Sequence, residues 1–269
     1  MGYTSKLYPG EVVVTESNAL DHCQPIQGGQ RRFFGRVPRP KGIEYSCEKP
    51  FSDLGIDIVP VSEYDDRIKE MEDTQTRISD LLLQSNIPSL DQNGTNYCWC
   101  NAVTGAVQAI RAQQNQAFVK LSPASVAAPL KNYSNQGGWG AEALDYMVAN
   151  GIASVDQWPA NAISKQYYAA SRDNAALHKV SEFVKLNSRD FSQLMSLLFA
   201  RIPTAIGLNW WSHEVLACDP VALGSGQYGV RFRNSWSDTY GTKGFNTLTQ
   251  AKATPDDACS PTVTIASNN

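Results

Sequence analysis

The hydrophobic period of this chain changes along its length, and that change limits the folds it can adopt. From Cys98 onward Val103, Val107 and Ile110 recur at helical spacing, and Ala102, Gly105, Ala106 and Ala109 permit close approach. The pattern predicts a buried helix with Cys98 at its N-terminus. A second helix is expected over Ala141 to Asn150, closed by Gly151, and a third over about Asp190 to Ala200, stopping before Pro203. Beyond Thr204 the runs become short and strand-like: Thr204 to Leu208, His213 to Cys218 and Tyr228 to Arg233, separated by Gly-rich turns. A helical first lobe followed by a strand-rich second lobe indicates α+β architecture with a cleft between the lobes.

Ahead of this, residues 1 to about 61 are irregular. Ser62 is expected to open and cap a helix running to about residue 85. Tyr64, Ile68, Met71, Gln75, Ile78 and Leu82 form its stripe, Glu63, Asp65 and Asp66 suit its first turn, and Pro88 stops it. The chain therefore divides into an N-terminal extension, residues 1–85, and a main domain, residues 86–269. The basic, aromatic stretch from Arg31 to Lys41 reads as a loop whose Phe33 and Phe34 dock on the main domain, in preference to a nucleic-acid arm.

Four residues in this order supply the parts of covalent acyl transfer. Cys98 is the candidate nucleophile, since a helix N-terminus and an imidazolium can lower a thiol from its usual pKa of about 8.5. His213 is the candidate base, and Asn234, after the strand Tyr228 to Arg233, can orient the imidazole without adding charge. Gln92, six residues before Cys98, can donate to an oxyanion together with the Cys98 backbone N–H. Trp236 would shield the His213–Asn234 pair from water. Cys100 faces away from Cys98 on a helix and reads as core. Neither His22 nor His178 has an evident partner. Gly224-Ser225-Gly226-Gln227-Tyr228-Gly229 matches a dinucleotide fingerprint literally, but it leads into a strand and reads as a loop.

This order resembles the papain-like cysteine peptidases over roughly residues 85 to 250. Cys98-Trp99 with Gln92, His213, and Asn234-Ser235-Trp236 followed by Gly241 and Gly244-Phe245 carry the likeness. So do Leu121-Ser122-Pro123, Asn135-Gln136-Gly137-Gly138-Trp139, and Trp158-Pro159. The resemblance implies a papain-like two-lobed fold and peptide-bond hydrolysis, with Gly137, Gly138, Trp99 and Trp236 at the substrate. Thr95 stands where the family has a disulfide cysteine, Asn96-Tyr97 replace small residues, and Ser237 and Tyr240 replace Gly and Trp. The bulk of Tyr97 is expected to narrow one side of the cleft. Residues 1–85 do not match the family's usual inhibitory pro-region, so a cleaved propeptide, a cleft plug in contact with the site and a permanent extension all stay open.

A net charge of -3 over 269 residues gives no general attraction to nucleic acid or anionic membrane. The N-terminus lacks the apolar core of a secretory signal, and no apolar run is long enough to span a bilayer. The six cysteines are scattered and read as thiols, and a glycan at Asn93 would bury the site. The expected location is cytoplasmic, or in a particle assembled within a cell. No cofactor or metal is implied, and the expected partner is a peptide or protein substrate. Two other uses of the same residues stay open: a structural or binding role in an assembly such as a viral particle, and another acyl transfer such as transamidation.

Overall fold

A computed structural model describes residues 2–19 and 34–266; His22, Cys23 and the Arg31-Arg32-Phe33 part of the basic stretch lie outside the described residues. The elements run β1 (Val13–Val14), β2 (Glu48–Pro50), α1 (Tyr64–Asp73), α2 (Ile78–Gln84), α3 (Cys98–Gln113), α4 (Ala124–Leu130), α5 (Gly140–Asn150) and α6 (Tyr168–Ala176). They continue β3 (His178–Lys185), α7 (Phe191–Phe199), β4 (Thr204–Leu208), β5 (His213–Gly224), β6 (Gln227–Arg233), β7 (Phe245–Thr249), α8 (Gln250–Ala253) and β8 (Asp257–Ala266). The expected helix over residues 62–85 is two. Gln75 takes a left-handed conformation (φ 52), which breaks the stripe between α1 and α2, and Ser62 lies in a short 3-10 turn and caps nothing. The helix expected over Ala141 to Asn150 is α5, and Gly151 (φ 79) closes it.

The strands form one sheet in the order β1-β7-β6-β5-β4-β8-β3-β2. Alternation along the strands feeds separate cores. Ile206, Val215, Ala217, Val230 and Phe232 point to one face and pack with Leu194, Leu197 and Leu198 of α7 and Tyr64 and Ile68 of α1. Ala205, Val180, Phe183 and Cys259 point to the other and meet Trp99, Val103 and Val107 of α3 and Leu144 and Met147 of α5. A smaller core joins Ile78 and Leu82 of α2 to Ala106, Ala109, Leu216 and Phe245. The molecule is two-lobed, with α3 lying along the junction.

The extension is built into this frame. β1 pairs in parallel with β7 at one edge of the sheet, and β2 with β3 at the other. Between the N-terminal segment and the sheet lies a fully buried ion cluster. Arg231 Nε meets Glu11 Oε1 at 3.0 Å and its Nη1 meets Asp219 Oδ2 at 3.3 Å, with all three side chains 0% exposed. The Tyr8 ring covers the guanidinium at 4.4 Å. Among the described residues no helix is long and apolar enough to cross a membrane.

Candidate active site

Cys98 is the first residue of α3 and is buried at the lobe junction. Cys100 points elsewhere, its thiol donating to the Pro123 carbonyl at 3.2 Å. Ser212, left-handed at φ 50, turns the chain into β5, so that His213 begins the strand. β5 and β6 are antiparallel, with Leu216 opposite Arg233. Continued past the end of β6, that register brings Asn234 and Trp236 back onto His213. His213 Nε2 lies 2.8 Å from Asn234 Oδ1, and Trp236 stacks on the imidazole at 5.0 Å between centroids.

The orientation of Asn234 follows from its neighbour. The Ser235 backbone N–H can only donate, and it points at Asn234 Oδ1 over 2.8 Å. The same oxygen faces His213 Nε2, so Nε2 carries the proton in the neutral ring. Nδ1 is then an unprotonated acceptor, buried and without a hydrogen-bond partner among the described residues. Gln92 is held to the same loop: its N–H donates to the Ser235 carbonyl at 2.9 Å, and its Oε1 accepts from Ser235 Oγ at 2.8 Å. Its Nε2 donates to the Thr95 carbonyl at 2.9 Å and, over 3.4 Å, to the carbonyl of Phe34.

Phe34 belongs to a stretch of the extension that passes directly over these groups. Its ring stands edge-on to His213 at 5.5 Å and to Trp236 at 6.0 Å. Gly35 (φ 94) runs so close to the main domain that a Cβ would lie 2.1 Å from the Asn96 carbonyl oxygen. Gly138 N–H donates to the Gly35 carbonyl at 3.0 Å and Val37 N–H to the Gly138 carbonyl at 2.9 Å, a parallel bridge centred on Arg36. Arg36 N–H donates to the Ser212 carbonyl at 3.2 Å. Gly137 must be small for the same reason, since a Cβ there would meet the Gly35 carbonyl at 2.3 Å.

The electrostatics suit a closed site. Burial pushes the Cys98 thiol well up, the Glu214 carboxyl adds to this, and the Glu214 and Trp99 backbone N–H groups oppose it. Burial takes His213 down to about 4 against the pull of Asn234. Both shifts favour the uncharged forms, a thiol at Cys98 and a neutral imidazole at His213. Tyr97 corrects the expectation that its bulk narrows the cleft. It is buried in the first-lobe core, with its hydroxyl donating to the Ser134 carbonyl at 2.8 Å. Trp99 packs under Gly138, where a Cβ would lie 2.7 Å from the indole, and donates Nε1–H to the Asn96 carbonyl at 3.0 Å. Sequence reasoning passed over Arg36, Ser235 and Glu214. The signals available were Glu214 directly after His213 and a lone glycine, Gly35, between Phe34 and Arg36.

The family model described as papain family cysteine protease matches residues 84–217. No curated protein matches the chain. Among solved structures, procathepsin L2 from the larval midgut of Tenebrio molitor is similar at a TM-score of 0.66 and 18% identity, covering 86% of this chain and 78% of that one. Procathepsin L 3 of the same animal gives a TM-score of 0.57 at 17% identity over 92% of this chain and 78% of that one. Xylellain, a cysteine protease from Xylella fastidiosa, gives 0.57 at 16% identity over 87% of this chain and 98% of that one. At these identities the structural likeness establishes the fold, which is papain-like.

Proposed function

Since the chain belongs to the papain family of cysteine proteases, we propose that it hydrolyses peptide bonds through a thioester on Cys98, in a cleft that its own residues 34–37 fill. The observation that carries this reading is the fixed tautomer of His213: Nε2 is committed to Asn234, and Nδ1 is left as a buried acceptor. In the proposed cycle Nδ1 takes the proton of Cys98 and the thiolate attacks the substrate carbonyl carbon. The Cys98 backbone N–H and Gln92 Nε2 then hold the oxyanion, at the position where Gln92 now meets the Phe34 carbonyl. The imidazolium gives its proton to the leaving amine, and water, deprotonated by the same ring, releases the acid and restores the thiol. An amine in place of water would make the reaction a transamidation.

The closed state accounts for the neutral thiol–imidazole pair. Phe34 and Gly35 exclude the water that would solvate the ions, and entry of solvent returns both groups towards their ordinary values. Two of the similar structures are procathepsins, proteins in precursor form, which agrees with a self-occupied cleft.

Gly35→Ala tests the reading. The added methyl cannot be accommodated against Asn96 at φ 94, so the segment must lift. Strain of about 1–3 kcal/mol corresponds to an increase of roughly five- to 150-fold in the open population. Iodoacetamide should then label Cys98 faster by that factor, leaving Cys100 and Cys218 unchanged, and peptide hydrolysis should rise in parallel. Unchanged labelling would refute the plug. Fast labelling without cleavage of any peptide would leave a catalytically silent, binding role for the same scaffold.

A further inference from the structure

The end of α3 remote from Cys98 carries a buried charge that the protein leaves without a partner. Five arginines among the described residues are buried: Arg36, Arg77, Arg111, Arg231 and Arg233. Four of them donate to an oxygen of the protein: Arg36 to Asn209, Arg77 to Asp80, Arg231 to Glu11 and Arg233 to the Ile87 carbonyl. Arg111, in the last turn of α3 and roughly 20 Å along its axis from Cys98, has neither a hydrogen bond nor an ion pair among the described residues, and its Nη1 is shut off from solvent. Burial lowers its pKa, and no carboxylate opposes the shift. Burial, and after it the Arg111 charge, takes His178 down to about 4, the effect of a cation that no acid neutralises.

Arg111 lines a cavity of about 300 Å³ between the end of α3, the turn that follows it and the loop after α2. Ile87, Ala112 and Val119 give it an apolar wall, and the exposed Phe118 stands at its mouth. Two more polar groups in its lining lack partners. Gln108, one helical turn before Arg111 and on the same face, is 3% exposed, and its Nε2 has no acceptor. Gln116 Oε1 has no donor. The orientation of that amide is fixed, because Gln116 Nε2 donates to Gln114 Oε1 at 2.7 Å, an atom that can only accept, and to Thr264 Oγ1 at 3.2 Å.

We propose that this cavity binds the carboxylate of an acylated amino acid, either a free compound or the end of a peptide chain, with the carboxylate on Arg111, the amide N–H on Gln116 Oε1 and the side chain against the apolar wall. A guanidinium cannot shed its proton, so a bound anion is what offsets its burial. Its planar fork matches the two oxygens of a carboxylate. No hydrogen bond holds the Gln108 amide, which is free to turn its donor towards the same oxygens. Gln116 Oε1 needs a donor, and an amide N–H supplies one where a sulfate has none. The cavity volume falls at the low end for small-ligand pockets, which suits a single residue. The site lies outside the cleft and calls for no chemistry at Cys98.

Calorimetry on the full chain compares N-acetyl-leucine with N-acetyl-leucinamide, its neutral counterpart. The acid should bind about tenfold tighter or more, and sulfate at the same concentration should not displace it. Competition by N-acetyl-Ala-Ala-leucine would show that peptide ends enter the site; its failure to compete would assign the site to the free acylated amino acid. Equal affinity of acid and amide, no binding at millimolar concentration, or displacement by sulfate overturns the proposal. Arg111→Met gives a second measurement. It should abolish the preference for the acid and leave the unfolding temperature of the ligand-free chain unchanged or higher, because an unpaired buried charge is gone. A preference for the acid that survives in Arg111→Met also overturns the proposal. The first comparison uses the native sequence, so its outcome does not depend on how the variant folds.

Discussion

With the cleft opened by Gly35→Ala, replacing Cys98 by alanine lowers peptide hydrolysis by about four orders of magnitude or more. The loss is large because the steps share one atom: without Sγ there is no thioester, and His213 has no proton to accept. What survives is the background from the oxyanion donors and from binding. Cys100→Ala, two residues on, leaves the rate essentially intact, since that thiol is spent on the Pro123 carbonyl in the first-lobe core. Both variants keep the fold, because removing one sulfur at the start of α3 leaves the packing of Val103 and Val107 in place. The measurement is kcat/KM on a peptide substrate beside a circular dichroism spectrum of each protein. Turnover that persists in Cys98→Ala sinks the thioester mechanism.

Arg231→Met carries the largest expected cost in stability. The guanidinium is 0% exposed and holds two carboxylates that are equally buried, Glu11 from the N-terminal segment and Asp219 from β5. Glu11 also accepts from Thr247 and from the Tyr8 N–H, and Asp219 from the Ser79 N–H. Those contacts are too few to hold two bare negative charges away from water. Breaking a buried pair from one side typically costs about 3–5 kcal/mol, and here two acids lose the same partner. Urea denaturation should show a loss of at least that size, and Arg231→Met with Glu11→Gln should recover part of it. A change below about 1 kcal/mol, the range of an exposed pair, would mean that the cluster is not dry. If the loss is found, the N-terminal segment belongs to the folded unit.

The site was legible in the sequence to the extent that its chemistry is local. Cys98 at the head of a periodic apolar run, and Asn234 at the end of a strand antiparallel to the one His213 begins, could be placed on their elements from periodicity, and the family resemblance singled them out. Strands β4 and β6 came within a residue of their observed limits, because Pro203 stands before the first and Gly224-Ser225-Gly226 before the second. The misses are non-local. Nothing near His178 announces β3, whose partners β2 and β8 are far away in the chain. The break at Gln75 follows no glycine or proline. The place of Arg36 was unreadable because the groups around it, Gly207, Asn209 and the Ser212 carbonyl, come to it only in the folded sheet.

The two short strands of the extension have a consequence for how the cleft opens. β1 and β2 sit at opposite edges of one sheet, so the stretch over Cys98 is moored on both sides. Residues 34–37 therefore face the cleft at a local concentration in about the millimolar range, whatever the protein concentration in solution. Dilution cannot release them, and a competing peptide must outbid that value to be bound. The fraction of open molecules is a constant of the single chain, fixed by how well Phe34, Gly35 and Arg36 fit.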